Sequence, residues 1–146
     1  CPESRGLGDV YKRQIKTLAV VFAMGMATTT PVVGDDTPLG KEMDGLSGAL
    51  KGLRKAESWA AKVALVQEGQ VATLNSLKHL PVMFKYITDL AEKKKATADY
   101  KRLIGLTYVG LCELEMAFLA EDEDKADAAI DNLKELKKEG HRAYID

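Results

Sequence analysis

Few side chains in this chain of 146 residues could do more than carry surface charge. Met43 offers a thioether, His141 an imidazole and Cys112 a thiol, each within a segment of regular apolar spacing. Met and His make one soft and one nitrogen donor, useful as a pair only if the fold brings them together. Taken singly, each has a plainer role. A Met within a Leu stripe is usually core filler, and a His near a helix C-terminus usually interacts with the helix dipole. His79, beside Pro81 in a loop, reads as structural or neutral. No Glu-x-x-His helix motif, no nucleophile with a nearby base and no phosphate-binding loop accompanies them, so no enzyme chemistry is supported. Cys112 is a lone thiol, because Cys1 falls in a segment set aside below. It therefore offers no disulfide framework, and no C-x-x-C-H run exists for covalent haem attachment.

Four apolar-periodic segments must position these groups. The first begins at Thr37-Pro38, an N-cap followed by Pro at the first helical position. Leu39, Met43, Leu46, Leu50 and Leu53 then recur at spacings of four and three, a narrow helical stripe. Gly40, Gly45, Gly48 and Gly52 weaken this helix in isolation, so tertiary packing must hold it. Ser58 caps a second helix carrying Trp59, Val63, Val66, Val71, Leu74 and Leu77, with a less regular phase around Gly69 and Gln70, and Pro81 stops it. Residues 82–98 are ambiguous: amphipathic enough for a short helix, with Lys93-Lys94-Lys95 reading as a solvated face. A third helix holds Tyr100, Ile104, Leu111, Leu114 and Phe118, widened by Leu103, Leu106 and Val109, and ends at the acidic run Glu121-Asp122-Glu123-Asp124. The fourth starts near Lys125, with Ala126, Ile130, Leu133, His141 and Tyr144 on one side. His141 lies about 20° around the helix from Ile130, which predicts an inward ring. No strand signal competes, so the expected class is all-α.

Helices joined by short loops pack antiparallel, which predicts an antiparallel up-down-up-down four-helix bundle. The start of the first helix and the end of the fourth then share one end of the bundle. Met43 and His141 converge there, with Leu77, Pro81 and Tyr100 around an apolar pocket. Thioether plus imidazole is an axial pair used by haem iron, and it raises the reduction potential.

Laid out in this way, residues from about Leu39 to Tyr144 resemble the soluble cytochrome b562 family, periplasmic haem proteins with this bundle topology. The run LGKEMDGLSGALKGLRKA keeps the family's Leu, then Met, then Leu pattern. ADAAIDNLKELKKEGHRAY keeps Leu133-Lys134 and a His eight residues after that Leu. The resemblance implies Met43 and His141 as axial ligands of a non-covalent haem b and an electron-transfer function. Tyr100, after Asp99, falls on an aromatic that packs against the haem. Ile104 falls on a second aromatic position, and Lys137 on a basic position near the cofactor. Three departures stand out: Ile104 is smaller than an aromatic, Gly140 precedes the His, and residues 82–98 are longer and more apolar than the family's loop. The other reading of the same fold is a haem-free helical binding or chaperone-like module.

Upstream, residues 1–14 have no hydrophobic period. Asp9 to Gln14, DVYKRQ, matches what a transposon end used in sequencing-library preparation encodes, so this stretch is expected to be a non-native scar. Lys16, the apolar run Leu18–Ala27 and the small residues Gly25 and Ala27 that close it read as a signal peptide over 15–34, cleaved between Ala27 and Gly34, which predicts a periplasmic protein. The domain is then 35–146. Setting aside four basic and two acidic residues before Asp35 from totals of 21 and 22 leaves 17 and 20, a net charge of −3. That balance favours neither nucleic acid nor an anionic membrane. The expected partners are redox proteins that the sequence does not identify, with no membrane insertion of the mature form.

Overall fold

A computed structural model describes residues 36–145, so the expected scar and signal peptide lie outside the described residues. These residues form four helices and no strand: α1 (Pro38–Gly52), α2 (Trp59–Ser76), α3 (Leu90–Leu119) and α4 (Glu123–Tyr144), with a short 3-10 helix, Val82–Tyr86, between α2 and α3. The all-helical class expected from the periodicity is what the fold shows.

Each helix starts where a side-chain oxygen can take a free backbone N–H. Thr37 Oγ1 accepts from Gly40 N at 2.9 Å and Ser58 Oγ from Ala61 N at 3.1 Å. Asp89 Oδ1 accepts from Glu92 N at 2.9 Å and Asp122 Oδ1 from Lys125 N at 3.0 Å. The acidic run therefore divides. Asp122 caps α4 and Glu123 and Asp124 lie in its first turn, where negative charge meets the positive end of the helix dipole.

The helices pack in chain order: α1 on α2, α2 on α3 and α3 on α4. Small residues set the close approaches. Gly45 faces Ala72, Gly69 faces Leu46 and Leu111, and Gly110 faces Leu133. Trp59, at the start of α2, meets Phe118, near the end of α3, with ring centroids 6.0 Å apart. At the other end Tyr100 Oη donates to the Ser76 carbonyl at 2.9 Å.

Two apolar clusters result. One joins Val66, Leu111, Leu114, Phe118 and Leu133, with Leu46 and Leu50 of α1 and its C-cap Leu53 laid against it. The other, at the bundle end that holds the 3-10 helix, joins Phe84, Ile87, Tyr100, Leu103, Ile104 and Tyr144. Leu111 and Leu114 are fully buried, each contributing roughly 1.5–3 kcal/mol by transfer from water.

The α2 face differs from expectation. Val71 is 59 % exposed, and Leu74 and Leu77 are also exposed. The buried side is Val66, Gly69, Ala72, Thr73 and Ser76. Close helix approach selects small residues there, and the two hydroxyls are buried without penalty because each donates to its own helix, Thr73 to Gly69 O at 2.8 Å and Ser76 to Ala72 O at 2.9 Å. Leu106 and Val109, expected to widen the α3 stripe, are exposed for the same geometrical reason: the stripe is narrower than the run of apolar residues. The ambiguous stretch 82–98 divides into the 3-10 helix and the first turns of α3.

Candidate functional site

The site residues expected from the sequence gather around one end of the helices, but they are not equally enclosed. Met43, on α1, is half-buried and packs with Leu39 against the end cluster. Tyr100 and Ile104, one turn apart on α3, are core members of that cluster. From α4 the cluster receives Ala143 and Tyr144, with Leu136 packed against it. Met43 therefore sits against an aromatic and apolar cluster.

His141 is exposed, which corrects the inward orientation expected from its place beside Ile130. Ile130 is itself only half-buried and marks the edge of the α4 stripe. The centre of that stripe is Ala126, Ala129, Leu133 and Ala143, and His141 lies about 100° around the helix from it. Alanine carries this centre because α3 and α4 approach closely, and a hydropathy pattern weighted by Ile and Leu finds the stripe's edge instead.

Contacts between α3 and α4 settle which flank His141 occupies. Arg102 Nη2 donates to Glu139 Oε1 at 2.8 Å, and Gly110 faces Leu133 with Asn132 beside it. At 100° per residue His141 is about 160° from Glu139 and about 180° from Asn132. The imidazole thus stands on the flank of α4 opposite Glu139, about 80° around the helix from the buried Leu133. On that flank Lys137 lies one turn before it, and both line a surface depression of about 510 Å³ together with Lys134, Lys138 and Arg142. Lys134 and Lys138 are paired with Asp131 at 2.9 Å and Glu135 at 2.6 Å. Lys137 is exposed.

α1 and α4 both cover the end cluster, yet they make at most marginal contact with each other. The depression beside His141 is lined by α4 residues alone, and Met43 lies instead against the end cluster.

Sequence reasoning missed Phe84, Ile87 and Tyr144's role in the floor. Phe84 is 1 % exposed and its ring meets Tyr144 at 5.3 Å and Tyr100 at 6.1 Å, edge-on. Its signal was present as an apolar triplet of Val82, Met83 and Phe84 after Pro81, in a stretch too short for helical periodicity. Tyr144 donates its hydroxyl to the Asp99 carboxylate, which ties the end of α4 to α3. Tyr100 is held out of water, and burial pushes its pKa up to about 12.

Cys112 is half-buried on α3, where Gln70 Nε2 approaches Sγ at 3.8 Å. Twelve residues separate it from Tyr100, roughly 18 Å along the helix, so it belongs to neither the floor nor the rim of this end. Among the described residues no group of three or more His, Cys, Asp or Glu side chains is placed to hold a metal ion, and no helix is long and apolar enough to cross a membrane. A two-ligand thioether–imidazole site is of a different kind from such clusters. The chain matches no family model, no curated protein and no solved structure.

Proposed function

We propose that this chain is a periplasmic electron carrier holding a b-type haem non-covalently between α1 and α4 of an antiparallel up-down-up-down bundle. The bundle topology is supported by pairings that run in opposite directions along neighbouring helices: Gly45 with Ala72 and Gly52 with Leu65, then Trp59 with Phe118 and Ser76 with Tyr100, then Arg102 with Glu139 and Gly110 with Leu133. Met43 sulfur and a His141 ring nitrogen would hold the iron. Tyr100 and Ile104 would form the wall beneath the ring, and Lys137 would face a propionate at the solvent edge. The haem supplies a one-electron iron centre whose potential a thioether–imidazole pair keeps high. Met43 and His141 together would leave the iron no position for a substrate, which suits outer-sphere electron transfer and not catalysis.

The observation that supports this reading is that Met43 of α1 and Tyr144 of α4, three residues from His141, lie against one shared aromatic cluster, with one donor on each helix. Haem titration of the purified protein tests it. Wild type should give a low-spin spectrum. Met43→Ala should open a coordination position, lower the potential and let carbon monoxide bind. His141→Ala should weaken binding further, because imidazole is the stronger iron ligand. An unchanged low-spin spectrum in both variants would remove the ligand assignment.

A second reading is favoured by the exposed His141 ring and by Phe84 filling the end of the bundle: a haem-free helical binding module. Failure of wild type to take up haem at all would select it.

A further inference from the structure

The outer face of α3 carries a second stripe at helical spacing. Gly105, Val109, Cys112, Met116 and Leu119 recur at intervals of four, three, four and three. At 100° per residue they span about 80°, on the side of the helix opposite the buried Leu103, Leu111 and Leu114. Met116 is 70 % exposed, Leu119 67 % and Val109 52 %. The exposed Leu74 of α2 extends this surface, one turn beyond Gln70, whose amide reaches Cys112 and Glu115. An apolar seam at this spacing is what a helix presents to another helix. Towards the start of α3 the seam continues as Lys94, Ala98 and Lys101, all exposed. Charge divides along the same helix. Residues 90–104 carry five basic and two acidic side chains, and residues 105–119 carry two acidic and none basic.

We propose that this seam is the interface of a homodimer in which α3 packs antiparallel against α3 of a second copy. A two-fold axis level with Thr107 satisfies size and charge in one register. Met116 then faces the partner's Ala98, Val109 faces the partner's Gly105, and Leu119 lies along the stem of the partner's Lys94. Each large side chain meets a small one or an aliphatic stem. The basic half of each α3 lies over the acidic half of the other. On the α2 side of the seam, Lys101 comes within reach of the partner's Glu115. Gln67 and Gln70 hold that carboxylate at 2.8 and 2.6 Å, and no cation pairs with it among the described residues. Symmetry makes every one of these contacts twice. The dimer does not depend on haem, since the seam includes neither Met43 nor His141.

Sedimentation equilibrium of the full chain tests this. Wild type should show a reversible monomer–dimer equilibrium that weakens at high salt. Met116→Lys, a change at an exposed position that leaves the far-UV helical signal intact, should raise the dimer dissociation constant about tenfold or more. Lys101→Glu and Glu115→Lys should each weaken self-association, because each sets like charges against each other twice. An equimolar mixture of those two variants should recover the dimer, since the mixed pair restores both contacts. A wild type that stays monomeric, or a dimer indifferent to Met116→Lys, would overturn the proposal. In the proposed register the two Cys112 residues stand about 15 Å apart along the seam, too far for a disulfide. A dimer that mild oxidation cross-links through Cys112 would therefore overturn it as well.

Discussion

Glu139 of α4 accepts a hydrogen bond from Arg102 of α3 at 2.8 Å, and this pair reports the roll of α4 about its own axis. With Glu139 turned to α3, the helix period carries His141 to the flank opposite Glu139 and out of the buried stripe. The same roll brings Leu133 against Gly110 and Tyr144 onto Asp99. The ion pair itself is partly exposed and is not what holds the helix. The roll is set by the small-residue seam, in which alanines and Gly110 let the backbones come close.

Gly110 should therefore resist substitution. A Cβ there would meet Leu133 Cδ2 at 2.9 Å, in a buried position. Gly110→Ala gains about 1 kcal/mol of helix propensity and loses roughly 1–3 kcal/mol to overpacking. The net expectation is a modest loss of stability in chemical denaturation. Gly105→Ala, with open space around the new methyl, should instead stabilise by about 0.5–1 kcal/mol. Equal effects of the two changes would show that the α3–α4 seam is not close-packed.

Tyr100 predicts an alkaline limit to stability. Its pKa stands at about 12 in the folded protein because burial disfavours the phenolate, against about 10 in an unfolded chain. The folded state then holds a proton that the unfolded state releases, so this contribution is intact below pH 10 and is lost as pH rises towards 12. The slope is at most about 1.4 kcal/mol per pH unit. Tyr100→Phe should flatten that part of the profile, while costing about 1 kcal/mol at neutral pH because Ser76 O loses its donor. Urea melts of both proteins between pH 8 and 12 check this, and parallel profiles would assign the alkaline loss elsewhere.

Lys137 tests how exposed the rim of the proposed haem site is. An ion pair between its ammonium and a propionate at the surface is weak and screened, so Lys137→Ala should reduce haem affinity by less than about fivefold. The difference should shrink further at high salt. A hundredfold loss, independent of salt, would place Lys137 against the cofactor in a buried setting.

Much of this architecture was legible in the residues themselves. Thr37-Pro38 and Ser58 announce the starts of α1 and α2, because a capping hydroxyl acts on backbone groups three residues away and needs no tertiary partner. The α3 stripe of Tyr100, Ile104, Leu111, Leu114 and Phe118 is equally plain, since large apolar residues at helical spacing have only the core to enter. Tertiary structure alone decided the rest. The inner face of α2 is built from Gly69, Ala72, Thr73 and Ser76, while Val71, Leu74 and Leu77 face outward. Close helix contact rewards small volume, which hydropathy does not record. The same seam turned His141 out to the flank. And Phe84 became a core residue only because Tyr100 and Tyr144, 16 and 60 positions away in the sequence, left a ring-sized space between them.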